Sequence, residues 1–224
     1  PPGANEGGRG LLCELQRAKR FGIPQVVLEP GEEKGAGPEV GIKRVAEAVR
    51  ATDGEHPELA DTRLLFEIMA GQGTVIGRSP AELGRLLRQL EGEATVGVCL
   101  DTCHAFAAGF DLRTPEGYAD FMAQCDRDFG LAAVGCWHLN DSKGALGSRV
   151  DRHQHLGEGE LGTAPFACIL NDRRWFETPL LLETPKTIER TSDLKNMQVL
   201  GGLLADARRV PAGLLAEELP GDAA

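Results

Sequence analysis

Five apolar runs in this chain each lead into a side chain that can hold a metal ion: Gln25-Val-Val-Leu-Glu29, Arg63-Leu-Leu-Phe-Glu67, Val96-Gly-Val-Cys-Leu-Asp101, Val134-Gly-Cys-Trp-His138 and Leu180-Leu-Leu-Glu183. Two further pairs accompany them. Asp101-Thr-Cys-His104 sets a carboxylate and an imidazole three residues apart, and Asp151-Arg-His153 sets two more at i and i+2, on one side of an extended backbone with Arg152 on the other. Three of the five histidines, His104, His138 and His153, fall at run ends or in carboxylate-bearing loops. Imidazole and carboxylate without thiolate suits a catalytic Zn²⁺, with Mn²⁺ or Fe²⁺ as alternatives. For Asp101 taken alone a second reading stands beside the ligand: Asp is a common helix cap. His155 reads as solvent-facing or as a support to a ligand, and His56, in Gly54-Glu-His-Pro57, as an ordinary loop histidine.

Such residues act together only if the chain brings them to one place. The five runs recur at βα spacing, and between them lie segments with helical periodicity: 11–21, stopped by Gly22, then 40–50, 80–91, 115–129, 164–171 and 193–209. Ser79-Pro80 and Thr114-Pro115 read as helix openings, a capping hydroxyl followed by a residue suited to the first turn. Segments 30–37 and 140–163 read as loops. Strand and helix alternating five times implies an α/β fold with a parallel sheet and right-handed crossovers, the arrangement of a βα barrel, whose catalytic groups gather at the carboxyl ends of the strands. One domain over residues 1–210 is expected, with 211–224 as a frayed tail.

At 224 residues the chain falls short of a complete eight-stranded barrel of ~250 residues. It holds 42% hydrophobic and 26% charged residues with no apolar run long enough to span a bilayer, so a water-soluble chain with no membrane partner is expected. The first ten residues lack a secretion signal and a starting Met, which points to a processed chain or one that begins inside a longer protein. Cytoplasmic residence is expected, or nuclear or organellar in a eukaryote, and not secretion. The six cysteines form no Cys-x-x-Cys pair and read as core packing in a reducing compartment.

A net charge of −10 argues against simple electrostatic binding to a polyanion, but divalent ions among clustered carboxylates invert the local sign and can present a positive pocket to phosphate. Ala70-Gly-Gln-Gly73 has the small residues that let backbone amides approach a phosphate, with a plain tight turn as the other reading. Lys143, Arg149, Arg152 and Lys186 are the cations nearest the run ends in sequence.

Val96-Gly-Val-Cys-Leu-Asp-Thr-Cys-His-Ala-Phe-Ala-Ala-Gly-Phe-Asp111, His138-Leu-Asn-Asp-Ser-Lys-Gly-Ala-Leu-Gly-Ser-Arg-Val-Asp-Arg-His153, Leu156-Gly-Glu-Gly-Glu-Leu-Gly162 and Leu181-Leu-Glu-Thr-Pro185 together resemble the endonuclease IV family of apurinic/apyrimidinic endonucleases, from about residue 20 to 205. The resemblance implies a TIM-type barrel, present here as strands 4 to 8 with the first three βα units lacking. It implies three zinc ions and cleavage of duplex DNA 5′ to an abasic site, leaving a 3′-hydroxyl. On that pattern Glu67, Asp101, His138 and Glu183 hold one zinc, with Glu67 bridging to another, and His104, Asp151 and His153 hold a third. Glu67, Asp101 and Glu183 are then the catalytic carboxylates, and Gly71, Gln72, Gly73, Lys143, Arg149 and Arg152 the candidates for DNA-phosphate contacts. Two departures stand out. The family's His-Pro-Gly-Ser-His reads Glu29-Pro-Gly-Glu-Glu33, making Glu29 a substitute ligand, and its Glu-Asn-Thr-Ala-Gly-Gln-Gly reads Glu67-Ile-Met-Ala-Gly-Gln-Gly73. Two rival expectations follow: a truncated zinc-binding homologue with reduced or lost nuclease activity, and a metal-dependent sugar isomerase on a related barrel. An open five-strand sheet carries an unpaired edge, from which self-association is expected.

Overall fold

The computed structural model describes residues 4–92, 94–186 and 191–210; the tail expected at 211–224 lies outside the described residues. Seven helices and seven strands are described: α1 Ala4–Phe21, β1 Gln25–Leu28, α2 Pro38–Glu55, β2 Arg63–Glu67, α3 Pro80–Gln89, β3 Val96–Asp101, α4 Thr102–Ala108, α5 Pro115–Phe129, β4 Val134–His138, β5 Asp141–Ser142, β6 His153–Gln154, α6 Ala164–Asn171, β7 Leu180–Leu181 and α7 Thr191–Leu203. The main sheet has the order β1-β2-β3-β4-β7, with parallel pairing of β1 to β2, β2 to β3 and β4 to β7. β2, β3 and β4 are buried almost throughout, which is why they read as unbroken apolar runs rather than as alternating ones. The chain divides into two compact units, Pro1–Leu100 with Met122–Cys136 and Asp101–Phe121 with Trp137–Ala224, and β3 and β4 each run from the first into the second.

In the first unit α1 buries Leu11, Leu15 and Ala18, a three-and-four spacing that makes one apolar stripe, and α2 buries Ile42, Ala46 and Val49. Ser79 caps α3 by accepting from the Glu82 amide at 3.3 Å, and Pro80 occupies the first turn. Glu82 is itself buried. It turns back to accept from the amides of Gly77 and Arg78 and pairs with Arg78 Nε at 3.0 Å, which ties the turn before α3 to its first residues. A Cβ at Gly84 would meet the Asp128 carbonyl at 2.2 Å, so this position takes no side chain.

In the second unit Asp101 caps α4 through an Oδ1 bond from the His104 amide at 2.8 Å, and Gly109, at φ 112°, ends it in the left-handed conformation. The Thr114 hydroxyl accepts from the Gly117 amide at the start of α5, as the Thr-Pro signal predicts. Behind this, Trp175 Nε1 donates to the Tyr118 hydroxyl at 2.7 Å, which donates to Asp172 Oδ2 at 2.9 Å. Burial pushes the Asp172 carboxyl up, but bonds from the Arg174 side chain and amide and from Tyr118 outweigh it, so the net shift is down. Its folded value therefore lies below the unfolded one near 3.8, and this contribution to stability is present above that pH and lost as pH falls through the folded value. Tyr118→Phe removes the acceptor of a buried indole N–H and a donor to Asp172. It is expected to lower unfolding free energy by about 1–3 kcal/mol, read from the midpoint of a denaturant titration at constant m-value.

Three expectations need correction. Residues 140–163 are not wholly irregular: β5 and β6 form a two-stranded antiparallel ribbon, Asp141 opposite Gln154 and Ser142 opposite His153. The last helix ends at Leu203, and a separate 3₁₀ turn, 207–209, follows Asp206, whose side chain caps it. The cysteines are not all core residues, since Cys99, Cys103, Cys125 and Cys136 are buried but Cys168 is half-buried and Cys13 exposed. Cys13 falls on the polar side of α1, off the Leu11-Leu15-Ala18 stripe. Among the described residues no helix is long and apolar enough to cross a membrane.

Candidate metal centre

Six ligand-type side chains of the second unit form a connected cluster. Asp101, at the end of β3, is fully buried; His138, at the end of β4, is nearly so, and Glu183, two residues past β7, is exposed. These three each place a ligand atom within 4.8 Å of the others, with His138 Nδ1 at 3.1 Å from Glu183 Oε2 and 3.9 Å from Asp101 Oδ2. On the other side of Asp101, His153 Nε2 lies 3.8 Å from Asp101 Oδ2 and 3.5 Å from Asp151 Oδ1, and His104 Nε2 lies 3.2 Å from the same Asp151 oxygen. The hydrogen bond with His104 holds the Asp151 carboxyl below the usual carboxylate range.

Backbone and amide groups orient this cluster. His153 Nδ1 sits 3.1 Å from the Glu183 carbonyl oxygen, which fixes Nδ1 as the protonated nitrogen and turns Nε2, buried and without a hydrogen-bond partner, toward two carboxylates. A lone pair facing carboxylate oxygens at that range is stable only with a proton or a cation between them. Three carboxylates and three imidazoles in one chain of contacts, with Asp101, His104 and His138 buried, thus fit a divalent ion by their chemistry.

Asn140 holds the two sides together. Its Nδ2 donates to Asp101 Oδ2 at 2.6 Å, its Oδ1 accepts from the Glu183 amide at 2.9 Å, and the Thr102 hydroxyl bonds its backbone on both sides. Neither Asn140 nor Thr102 stands out by ligand type; the available signal is a buried amide just past a strand end. Asn140→Ala is expected to weaken divalent-ion affinity about 10–100-fold, measured by competition with a chromophoric chelator, and unchanged affinity would contradict this role. Asp141, also fully buried, accepts from the amides of Ser142, Gly157, Gly159 and Leu161 and so fastens the Leu156–Gly162 loop to the β5–β6 ribbon. Gly159 is required there, because a Cβ would meet the Ser142 carbonyl at 2.4 Å. Burial, and then the Asp101 carboxylate, push the Cys103 thiol up to about 11, so it remains protonated beside the cluster.

Glu67 ends β2 in the first unit, 4% exposed, in register with Cys99. Glu29 lies one residue past β1, exposed, and belongs to none of the convergent ligand groups among the described residues. Gly71 and Gly73 both have positive φ, and the segment after them pairs with 31–33 through the Glu32–Val75 bridge, so Gly71-Gln-Gly73 is a turn closed on the Glu29–Glu33 loop. Lys143, Arg149 and Arg152 are exposed, the first and last joined through the Lys143 amide and the Arg152 carbonyl at 2.9 Å, whereas Lys186 is paired with Asp193. His56 pairs with Glu58 in the loop after α2, and His155 is half-buried, its Nδ1 at 3.1 Å from Asn196 Nδ2.

Parallel βα architecture with carboxylates and imidazoles at strand ends is the arrangement of a βα barrel with a candidate metal site. The family model described as xylose isomerase-like TIM barrel matches residues 5–200. A protein of Chloroflexus aurantiacus named probable endonuclease 4 is 43% identical over 194 residues, which make up 87% of this chain and 68% of that one. Its counterpart in Trichlorobacter lovleyi is 44% identical over 190 residues, 85% of this chain and 67% of that one. The crystal structure of endonuclease IV from Thermus thermophilus aligns with a TM-score of 0.76 at 35% identity, covering 89% of this chain and 68% of that one. A D-tagatose 3-epimerase-like protein, with a TM-score of 0.62 at 19% identity, shares the fold; the alignment covers 87% of this chain and 67% of that one. The chain belongs to the endonuclease IV family, and it carries an incomplete TIM-type barrel, with five of the eight strands of a full barrel among the described residues.

Proposed function

We propose that this chain is a zinc-dependent apurinic/apyrimidinic endonuclease of base excision repair, which hydrolyses the phosphodiester 5′ to an abasic site in duplex DNA and leaves a 3′-hydroxyl. The observation that carries this reading is the Asp101-centred cluster, in which one fully buried carboxylate lies within 4 Å of imidazoles on both sides. Asp101, His138 and Glu183 would hold one ion, with Glu67 added by the family pattern, and His104, Asp151 and His153 another. Glu29 is the candidate for a further site. Bound divalent ions supply Lewis acidity toward phosphate oxygens and lower the pKa of water at neutral pH.

The chain's own groups do the rest. Asn140 and the Glu183 carbonyl fix the directions of Asp101 and His153, so the ligand atoms are aimed before substrate arrives. Lys143, Arg149 and Arg152, exposed within the second unit, are suited to steer and grip phosphates along the strand, as are the amides of Gly71, Gln72 and Gly73 in the first. An abasic nucleotide has lost its base stacking, so turning it out of the duplex costs less than turning out an intact one, and selectivity follows.

The test is incision of a labelled duplex carrying one synthetic abasic site by zinc-loaded protein. A single cut 5′ to the lesion, with the matched intact duplex untouched, is expected. A folded, zinc-replete protein that leaves the lesion strand whole would overturn the proposal in favour of a binding homologue.

A further inference from the structure

Two cysteines of the first unit lie outside the zinc-ligand sets proposed above. Cys99 on β3 and Cys136 on β4 sit on neighbouring strands of the sheet, and their sulfur atoms lie within 4.8 Å of each other. Because side chains alternate along a strand, Cys99 shares a face with Asp101 two residues on, and Cys136 with His138 two residues on. Both are almost wholly buried, at 0% and 2% exposure, and they pack in one cluster with Leu65 and Val27. Neighbouring strands run roughly 4.7–4.9 Å apart, inside the roughly 4.4–6.8 Å between Cα atoms that a disulfide spans.

We propose that Cys99 and Cys136 form a reversible disulfide site, closed by a small hydroperoxide. One thiol sulfur takes an oxygen from hydrogen peroxide as the O–O bond breaks and one water leaves, giving a sulfenic acid. The second sulfur then attacks the first: the S–S bond forms, the S–O bond breaks, and the hydroxyl departs as a second water with the second thiol's proton. The two thiols lose two electrons and the peroxide gains them. A small neutral oxidant suits a buried pair. The apolar surroundings of Leu65 and Val27 favour the uncharged disulfide over a charged sulfinate, and the second sulfur is at hand before a second peroxide arrives. The link would tie together the two strand segments that lead into Asp101 and His138, and it does not depend on the nuclease reading.

Peptide mapping of the full chain after hydrogen peroxide, unfolding and alkylation tests this directly in the unmodified sequence. The expected product is a linked pair of peptides containing Cys99 and Cys136, lighter by two hydrogens than the separate thiols and released by reductant. Cys125→Ser should retain it and Cys136→Ser should abolish it. Recovery of both cysteines as alkylated thiols, as sulfinic acids, or linked to other cysteines would overturn the proposal.

Discussion

Asp101→Asn is expected to leave the chain folded and to reduce incision of an abasic duplex by about 10³-fold or more, the rate equivalent of roughly 4 kcal/mol of lost charge stabilisation. The substitution keeps the size and the Oδ1 that caps α4 through the His104 amide. It removes the negative charge between His138 Nδ1 and His153 Nε2, and it sets an amide NH₂ against the Asn140 Nδ2 that now donates to Oδ2. The Asp101 carboxylate lies within 4 Å of imidazoles from both proposed ligand sets, so both should lose affinity together. Single-turnover incision rates, with circular dichroism to establish the fold, measure this. A rate within tenfold of the unmodified protein would show that Asp101 is a cap and no more.

Zinc should also raise thermal stability. Asp101, Asp151 and Glu183 lie in one chain of contacts with three imidazoles, and folding brings these carboxylates together whether or not a cation is present. An ion that binds only the folded state adds about 2.7 kcal/mol at a hundredfold excess over its Kd. For a chain of this size that raises Tm by about 5–10 °C per site. The pH dependence has a defined sign. Imidazole must be neutral to bind a metal, so the increment should fade as pH drops through the histidine range, near 6.5. The Asp151 carboxyl, held down by His104, gives a separate contribution in the ion-free protein, kept above the unfolded value near 3.8 and lost as pH falls below it. Differential scanning calorimetry with zinc and with chelator reads both. Superimposable traces at pH 7.5 would contradict a folded-state ion site.

The strand ends were legible because β2, β3 and β4 are buried on both faces, so the apolar run stops where the site begins, at Glu67, Asp101 and His138. Asp101 satisfied both readings open to it: one oxygen caps α4 while the other faces the imidazoles. Pattern gave no access to the β5–β6 ribbon, whose strands are two residues long and pair across ten intervening residues, too short for periodicity to register. Asn140 and Thr102 escaped because their part is to hold ligands rather than to be ligands, and that appears only once hydrogen bonds between distant segments are known. Glu29 looked equal to the other four run ends, yet β1 is only half-buried and stops one residue short of it, so the run ends at an exposed carboxylate.

The most direct measurement is anomalous X-ray scattering at the zinc edge from crystals of the zinc-loaded protein. The account predicts one peak among Asp101, His138 and Glu183 and another among His104, Asp151 and His153, each about 2.0–2.2 Å from its ligand atoms. Zinc absent from both positions, with Asp101 still capping α4 and the imidazoles paired to carboxylates alone, would contradict it.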